Sequence, residues 1–295
     1  MNHYLVREPS GLLKSLFDHL KGTSKTTVRD WLKRGMVHIN GKSSTRFDFP
    51  VKAGDKIEIK KETTAKFHSQ KFPFSIIYED AALLVVEKPA GLPSIATARS
   101  RERSLYFQVH EYLKSISPQR KWQGFIVHRL DREVSGIMIF AKTETAKESL
   151  QRNWNQFEKR YQAVAEGRPK KEKDSITSYL HENKFLKVYT GPKNEQGKLA
   201  ITQYEVLRSN GRFSLLDLKI DTGRKHQIRV HLSDIGCPVV GDEKYGSKVK
   251  MPKKYLQEAK RIALHAYEVT FTHPTTGKRM TLQSKVPQEI LDLLK

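Results

Sequence analysis

An aspartate, Asp131, stands between Arg129 and Arg132 in the stretch Phe125 to Thr143, FIVHRLDREVSGIMIFAKT. An ionised carboxylate can act as a nucleophile or as a general base, and holding it ionised away from water calls for a nearby cation. Apolar runs flank it, Phe125-Ile126-Val127 on one side and Ile137 to Ala141 on the other. Short apolar runs bounded by polar residues and glycine read as buried strands, so Asp131 is expected on a loop between two core strands. Catalytic groups are commonly delivered from such loops. On local composition alone, however, an aspartate beside arginines in a turn is an ion-paired, solvated connection, and a longer pattern has to decide.

Two distant stretches supply one. In Lys159-Arg160-Tyr161-Gln162-Ala163, strand alternation puts Tyr161, Ala163 and Ala165 on one face. A buried tyrosine there is most often core filler. In Thr222 to Leu232, TGRKHQIRVHL, helical spacing predicts a helix over 225–235 with Lys225 and Arg229 on one face. Taken singly, Arg229 would be a surface ion pair worth little.

Together, HRLD, R-E-x-S-G and a strand ending in AKT resemble the catalytic motif of the RluA-type pseudouridine synthases. The upstream YEDAALLVVEKPAGLP and the two stretches above match the same family in order, so the resemblance spans about Ser75 to Lys278. It implies that Asp131 is the essential catalytic residue and that Tyr161, in the family's K-x-Y-x-A, lies against the target base. Arg229, the last arginine of G-R-T-H-Q-I-R-x-H, would pair with Asp131. Arg129 would fill the space left by a flipped nucleotide or hold the flipped strand. Two positions depart from the family: Val134 and Lys225 each replace a usual threonine, and Lys225 adds a charge beside the substrate. His128 and His265 read as structural, and so does the turn-rich Gly236 to Gly246.

Pseudouridine formation breaks the uracil N1–C1′ bond, rotates the base and joins C5 to C1′. Atoms are only rearranged, so neither a cofactor nor a metal is expected. The uridine must leave its stack to be reached. Three routes stay open for Asp131: attack at C1′, addition at C6, or removal of the C2′ proton.

Composition agrees. Fifty-four Lys and Arg against 32 Asp and Glu give +22, the footprint of a polyanion binder that releases counterions from phosphates. A hydrophobic fraction of 37% supports a sizeable core rather than disorder. No apolar run approaches the ~20 residues of a membrane span. No signal peptide is expected, because Arg7, Glu8 and Lys14 interrupt any apolar region. The single cysteine, Cys237, excludes an intramolecular disulfide and a thiolate zinc cluster. A cytoplasmic protein is expected.

Residues 1–62 read as a separate module. Ser10 is placed to cap a helix with Leu12, Leu13, Leu16, Phe17 and Leu20 on its apolar face, ending at Gly22. A second helix starts at Ser24 and stops at Gly35. Two strand-turn patterns follow, around Asn40-Gly41 and Gly54-Asp55. Two short helices followed by these strands resemble the S4 RNA-binding domain. That likeness implies an RNA-facing side carrying Lys25, Arg29, Lys33 and Arg34. Charge runs are usually only solvated faces, but the S4-like pattern covers nearly the whole module.

Residues 63–73 read as a linker and 74–295 as the catalytic domain. The expected fold is α+β, a mixed, largely antiparallel sheet with inserted helices, because strand signals dominate without a βαβ rhythm. Nucleotide-binding motifs fail: GTSKTT at 22–27 lacks the glycine before lysine that a P-loop needs. The expectation is a monomeric RNA pseudouridine synthase acting on large-subunit ribosomal RNA in preference to transfer RNA. Its rival is a non-catalytic RNA-binding or ribosome-assembly factor with the same fold.

Overall fold

The computed structural model describes residues 2–20, 23–33, 36–59, 72–96, 104–117, 124–252 and 261–295. The chain divides into two compact units, Met1–Lys71 and Phe72–Lys295. The first contains β1 (Asn2–Leu5), β2 (Ser10–Gly11), α1 (Leu12–His19), α2 (Lys25–Lys33), β3 (Val37–Ile39), β4 (Lys42–Ser43), β5 (Pro50–Val51) and β6 (Lys56–Ile59). Four strands form a sheet in the order β1-β6-β3-β4, and β2 pairs with β5. Leu12, Leu16, Val28 and Leu32 from the helices meet Val37, Ile39 and Ile57 in one core. Ser24 caps α2 as expected, its Oγ accepting the Thr27 N–H at 3.1 Å.

Ser10 does not cap α1. It pairs with Val51 in a strand, and Gly11 takes the cap position without a side-chain bond. The expected helix ends at Gly22 and Gly35, linker residues 63–71 and Arg34 lie outside the described residues, as do the side chains of Lys25 and Lys33.

The second unit runs β7 (Ser75–Glu79), β8 (Leu83–Lys88), α3 (Leu105–Ile116), β9 (Phe125–Ile126), β10 (Ser135–Ala141), α4 (Glu144–Arg152), β11 (Glu158–Glu166), β12 (Lys173–Glu182), β13 (Val188–Gly191), β14 (Lys198–Ser209), β15 (Phe213–Ile220), α5 (Gln227–Asp234), β16 (Leu264–Thr272), β17 (Arg279–Gln283) and α6 (Gln288–Leu291). The sheet order is β13-β12-β14-β15-β11-β16-β10-β8-β7, with β17 on β16 and β9 on β10. β10 runs parallel to β16 and antiparallel to β8, so the sheet is mixed and largely antiparallel, as expected. The charged strands β12 and β17 escape a reading based on apolar runs because one face of each stays in water.

β10 is buried along its whole length. Met138 and Phe140 pack with Leu105, Val109 and Leu113 of α3 on one side, while Ile137 and Ile139 pack with Leu83, Val85 and Leu150 on the other. A strand covered on both faces reads as an unbroken apolar run. Gly136 makes the junction with β16 possible: it has φ +124°, and a Cβ there would lie 2.2 Å from the Ala266 carbonyl oxygen. Among the described residues no helix is long and apolar enough to cross a membrane.

Candidate active site

Asp131 lies between β9 and β10 in a turn closed by the Val134 N–H donating to its carbonyl at 3.2 Å. The loop is pinned from below. Ser94 donates its hydroxyl to the Leu130 carbonyl at 2.6 Å, and the Leu130 N–H returns a bond to Ser94 Oγ at 3.2 Å. Lys88 is fully buried, and its ammonium donates to the carbonyls of Pro89, Leu92 and Arg132 at 2.9, 2.8 and 3.3 Å. Burial pushes this ammonium down to about 7 while Asp131 and Glu133 pull it up. The three carbonyls favour the charged form as well. Arg132 is tied to the backbone instead, its Nε donating to the Gly91 carbonyl at 3.0 Å. Val134, the departure from the family pattern, is buried in the main core, where a methyl replaces a hydroxyl without leaving an unpaired polar group.

Asp131 finds its cation on α5. Arg229 Nη1 donates to Asp131 Oδ2 at 2.9 Å. The same guanidinium donates through Nε and Nη2 to both oxygens of Asp242, at 2.6 and 2.9 Å. Side-chain exposure is 5% for Arg229, 1% for Asp242 and 24% for Asp131, so the clamp is buried and the outer carboxylate remains reachable. The bonds and charges of Asp242 and Asp131 outweigh desolvation and hold the guanidinium above its ordinary value. Asp242 lies in the turn-rich Gly236 to Gly246, and nothing in its spacing relates it to Arg229.

Tyr161 follows a register shift between β11 and β16, a bulge of the kind that re-aims a side chain beside a site. With Asp131, Val134, Arg129, Arg224, His226 and Arg229 it lines a cavity of about 70 Å³. Burial, followed by the charge of Asp131, raises its hydroxyl above the usual range, so the phenol stays neutral. A larger cleft of about 720 Å³ adjoins, walled by His128, Arg129, Asp131, Trp154, Tyr161, Arg224 and Lys225. Arg129 is exposed within it.

Lys225 is not on a helix face. His226 adopts a left-handed conformation, φ 53° and ψ 18°, so α5 begins at Gln227 and Lys225 falls in the preceding turn. Its ammonium pairs with Glu182. His128 is held by the fold: Nε2 accepts the Ile139 N–H at 3.1 Å, the ring stacks on Trp154, and burial lowers it to about 4. His265 bridges Ser135 and Ser284 in the core. In the first unit the Arg29 side chain is exposed.

The site therefore joins one reachable carboxylate, a buried guanidinium and a neutral tyrosine at the mouth of a wide basic cleft. Comparison with known proteins bears on the family. The family described as RNA pseudouridylate synthase matches residues 82–234. An uncharacterized RNA pseudouridine synthase of Aquifex aeolicus is 33% identical over 90% of this chain and 86% of its own. The ribosomal large subunit pseudouridine synthase D of Haemophilus influenzae is 30% identical over 92% of this chain and 86% of its own. The structure of human RNA pseudouridylate synthase domain containing 4 superposes with a TM-score of 0.62 at 25% identity, covering 75% of this chain and 92% of the human one. This chain belongs to the RluA-type RNA pseudouridine synthases, isomerases that act on uridine in RNA.

Proposed function

We propose that the protein converts specific uridines of large-subunit ribosomal RNA to pseudouridine, with Asp131 as the reacting carboxylate on a flipped-out nucleotide. The observation that carries this reading is the Asp131–Arg229–Asp242 clamp: it holds a carboxylate with a permanent counter-charge at the edge of a cavity lined by Tyr161. Breaking N1–C1′ and forming C5–C1′ moves one proton from C5 to N1 and adds nothing. What the protein must supply is a reactive carboxylate, a place for the base and a reason for the nucleotide to stay out of its helix.

Asp131 supplies the first, ionised beside Arg229. Tyr161 packs against the uracil as a neutral phenol. Arg129, exposed in the cleft, occupies the gap left by the flipped uridine. Lys225 and Arg224 face the phosphates on either side, although Lys225 must first leave Glu182. The S4-like first unit adds affinity through α2, whose sequence carries Lys25, Arg29 and Lys33, followed by Arg34. The lean toward large-subunit ribosomal RNA rests on relatives such as the Haemophilus influenzae enzyme, whose name states that target.

Pseudouridines mapped in ribosomal and transfer RNA with and without the gene test this directly. Sites lost on deletion should lie in large-subunit ribosomal RNA, return with the wild type, and stay absent with Asp131→Asn. Full restoration by Asp131→Asn would remove the carboxylate from the chemistry. Lost sites confined to transfer RNA would overturn the target. Ribosome defects without any lost site would favour the assembly-factor reading.

A further inference from the structure

We infer that His226 is a positioning residue for the reaction: a neutral imidazole whose proton is held on Nε2, facing Asp131 Oδ2, by the hydroxyl of Tyr245. The inference rests on the reading of Asp131 as the reacting carboxylate.

His226 is one of three non-glycine residues with positive φ among the described residues. Left-handed backbone is strained for an ordinary residue and persists where the surroundings over-determine it. Here the kink makes α5 begin at Gln227, two residues after Lys225, and leaves the imidazole in the wall of the cavity that holds Asp131 and Tyr161. Nδ1 lies 2.6 Å from the Tyr245 hydroxyl, and Nε2 lies 3.7 Å from Asp131 Oδ2. The Tyr245 oxygen also accepts the Val188 N–H at 3.1 Å.

These contacts decide the tautomer. If Nδ1 carried the proton, the phenol oxygen would accept twice, its own hydrogen would lack this partner, and a bare Nε2 lone pair would face a carboxylate oxygen. With the proton on Nε2, the phenol donates to Nδ1, accepts from Val188, and the N–H faces Oδ2. Burial first, then the nearby cations Arg229, Lys244 and Lys225, lower the imidazole's proton affinity against the pull of Asp131. Burial pushes the Tyr245 hydroxyl up to about 12, so it remains a donor.

The consequence is geometric. Arg229 Nη1 and His226 Nε2 address the same oxygen, Oδ2, which fixes the carboxylate's rotation and reserves Oδ1 for reaction. At 3.7 Å the imidazole contact is electrostatic, and contacts of this type are often long before substrate binds. A neutral donor orients the carboxylate without the further positive charge that would blunt its reactivity.

Two substitutions separate this role from a purely structural one by the sign of their difference. The amide nitrogen of glutamine falls near the imidazole Nε2 and that of asparagine near Nδ1, whereas left-handed backbone suits asparagine better than glutamine. Full-length variants are tested on large-subunit ribosomal RNA from cells lacking the gene. Single-turnover rate, RNA Kd and melting temperature are measured for each. His226→Gln should keep the rate within about threefold, while His226→Asn should lose roughly 30-fold or more at unchanged Kd. Tyr245→Phe, which frees the proton to move between ring nitrogens, should fall between them.

A His226→Asn rate equal to or above that of His226→Gln, or losses confined to Kd or melting temperature, would overturn the inference. A wild type with turnover and an Asp131→Asn variant just as fast would instead sink the reading beneath it, and this inference with it.

Discussion

Arg229 and Arg29 carry the same charge under opposite conditions. The guanidinium of Arg229 is hydrogen-bonded to two carboxylates, with a third, Glu133, at 3.7 Å and its side chain 5% exposed, while Arg29 faces water on α2 with no ion partner among the described residues. The first belongs to a buried network whose geometry is set before any substrate arrives. The second belongs to a solvated surface, whose counter-charge on the proposed reading is the nucleic acid itself. Pre-set dipoles in a dry site stabilise developing charge without reorganisation, whereas solvated cations contribute affinity by releasing counterions. On the proposed reading one protein uses both, because rotating a base and holding a large RNA are different physical tasks.

That contrast can be broken most severely at the clamp. Arg229→Met should abolish pseudouridine formation. It should also destabilise the second unit by roughly 3–5 kcal/mol, since Asp242 is left buried and unpaired. Melting temperature and a tritium-release or mass assay report the two losses separately. A stable, active Arg229→Met protein would mean that the clamp is incidental.

Acid should sharpen the contrast next. The fully buried His231 and His265 are lowered by burial from 6.5 to about 4 and about 3. Both bind fewer protons folded than unfolded, so stability is intact above pH 6.5 and drains away as pH falls toward 4. Each can remove on the order of 3 kcal/mol. Denaturant midpoints at pH 7.5, 6 and 5 should descend in that order, and a flat series would show these rings protonating freely.

The smallest effect belongs to the solvated side. Arg29→Ala should weaken RNA binding a few-fold, lower the salt slope of log Kd by about 1, and leave single-turnover rate on saturating RNA unchanged. An altered rate with an unaltered salt slope would move Arg29 from the binding surface into the chemistry.

Much of this organisation is legible in order along the chain. The apolar runs around Asp131 announce β9 and β10, Ser24 announces α2, and the three family motifs announce an RNA isomerase. The fully buried β10 reads clearly because both of its faces are covered. The half-solvated β12 and β17 do not, since their pairing rather than their burial makes them strands. At the site, Asp131, Tyr161 and Arg229 are readable as types in a pattern. Asp242, Lys88 and the His226–Tyr245 pair are not, because a carboxylate in a turn or a lysine at a strand end has no local mark of its partner.

By itself, then, the sequence determined which groups are present: a carboxylate on a loop between core strands, a helix with an arginine, and a large positive excess. Composition and spacing did not decide which cation meets Asp131: the family resemblance pointed to Arg229, and the fold brings it there. Arg129 and Arg132 are its neighbours in sequence, yet one faces the cleft and the other binds the Gly91 carbonyl. The partner is Arg229, 98 residues away. Periodicity describes how a segment covers its own core face; contacts across the fold depend on how the sheet brings distant segments together, and here on one left-handed histidine that sets where α5 begins.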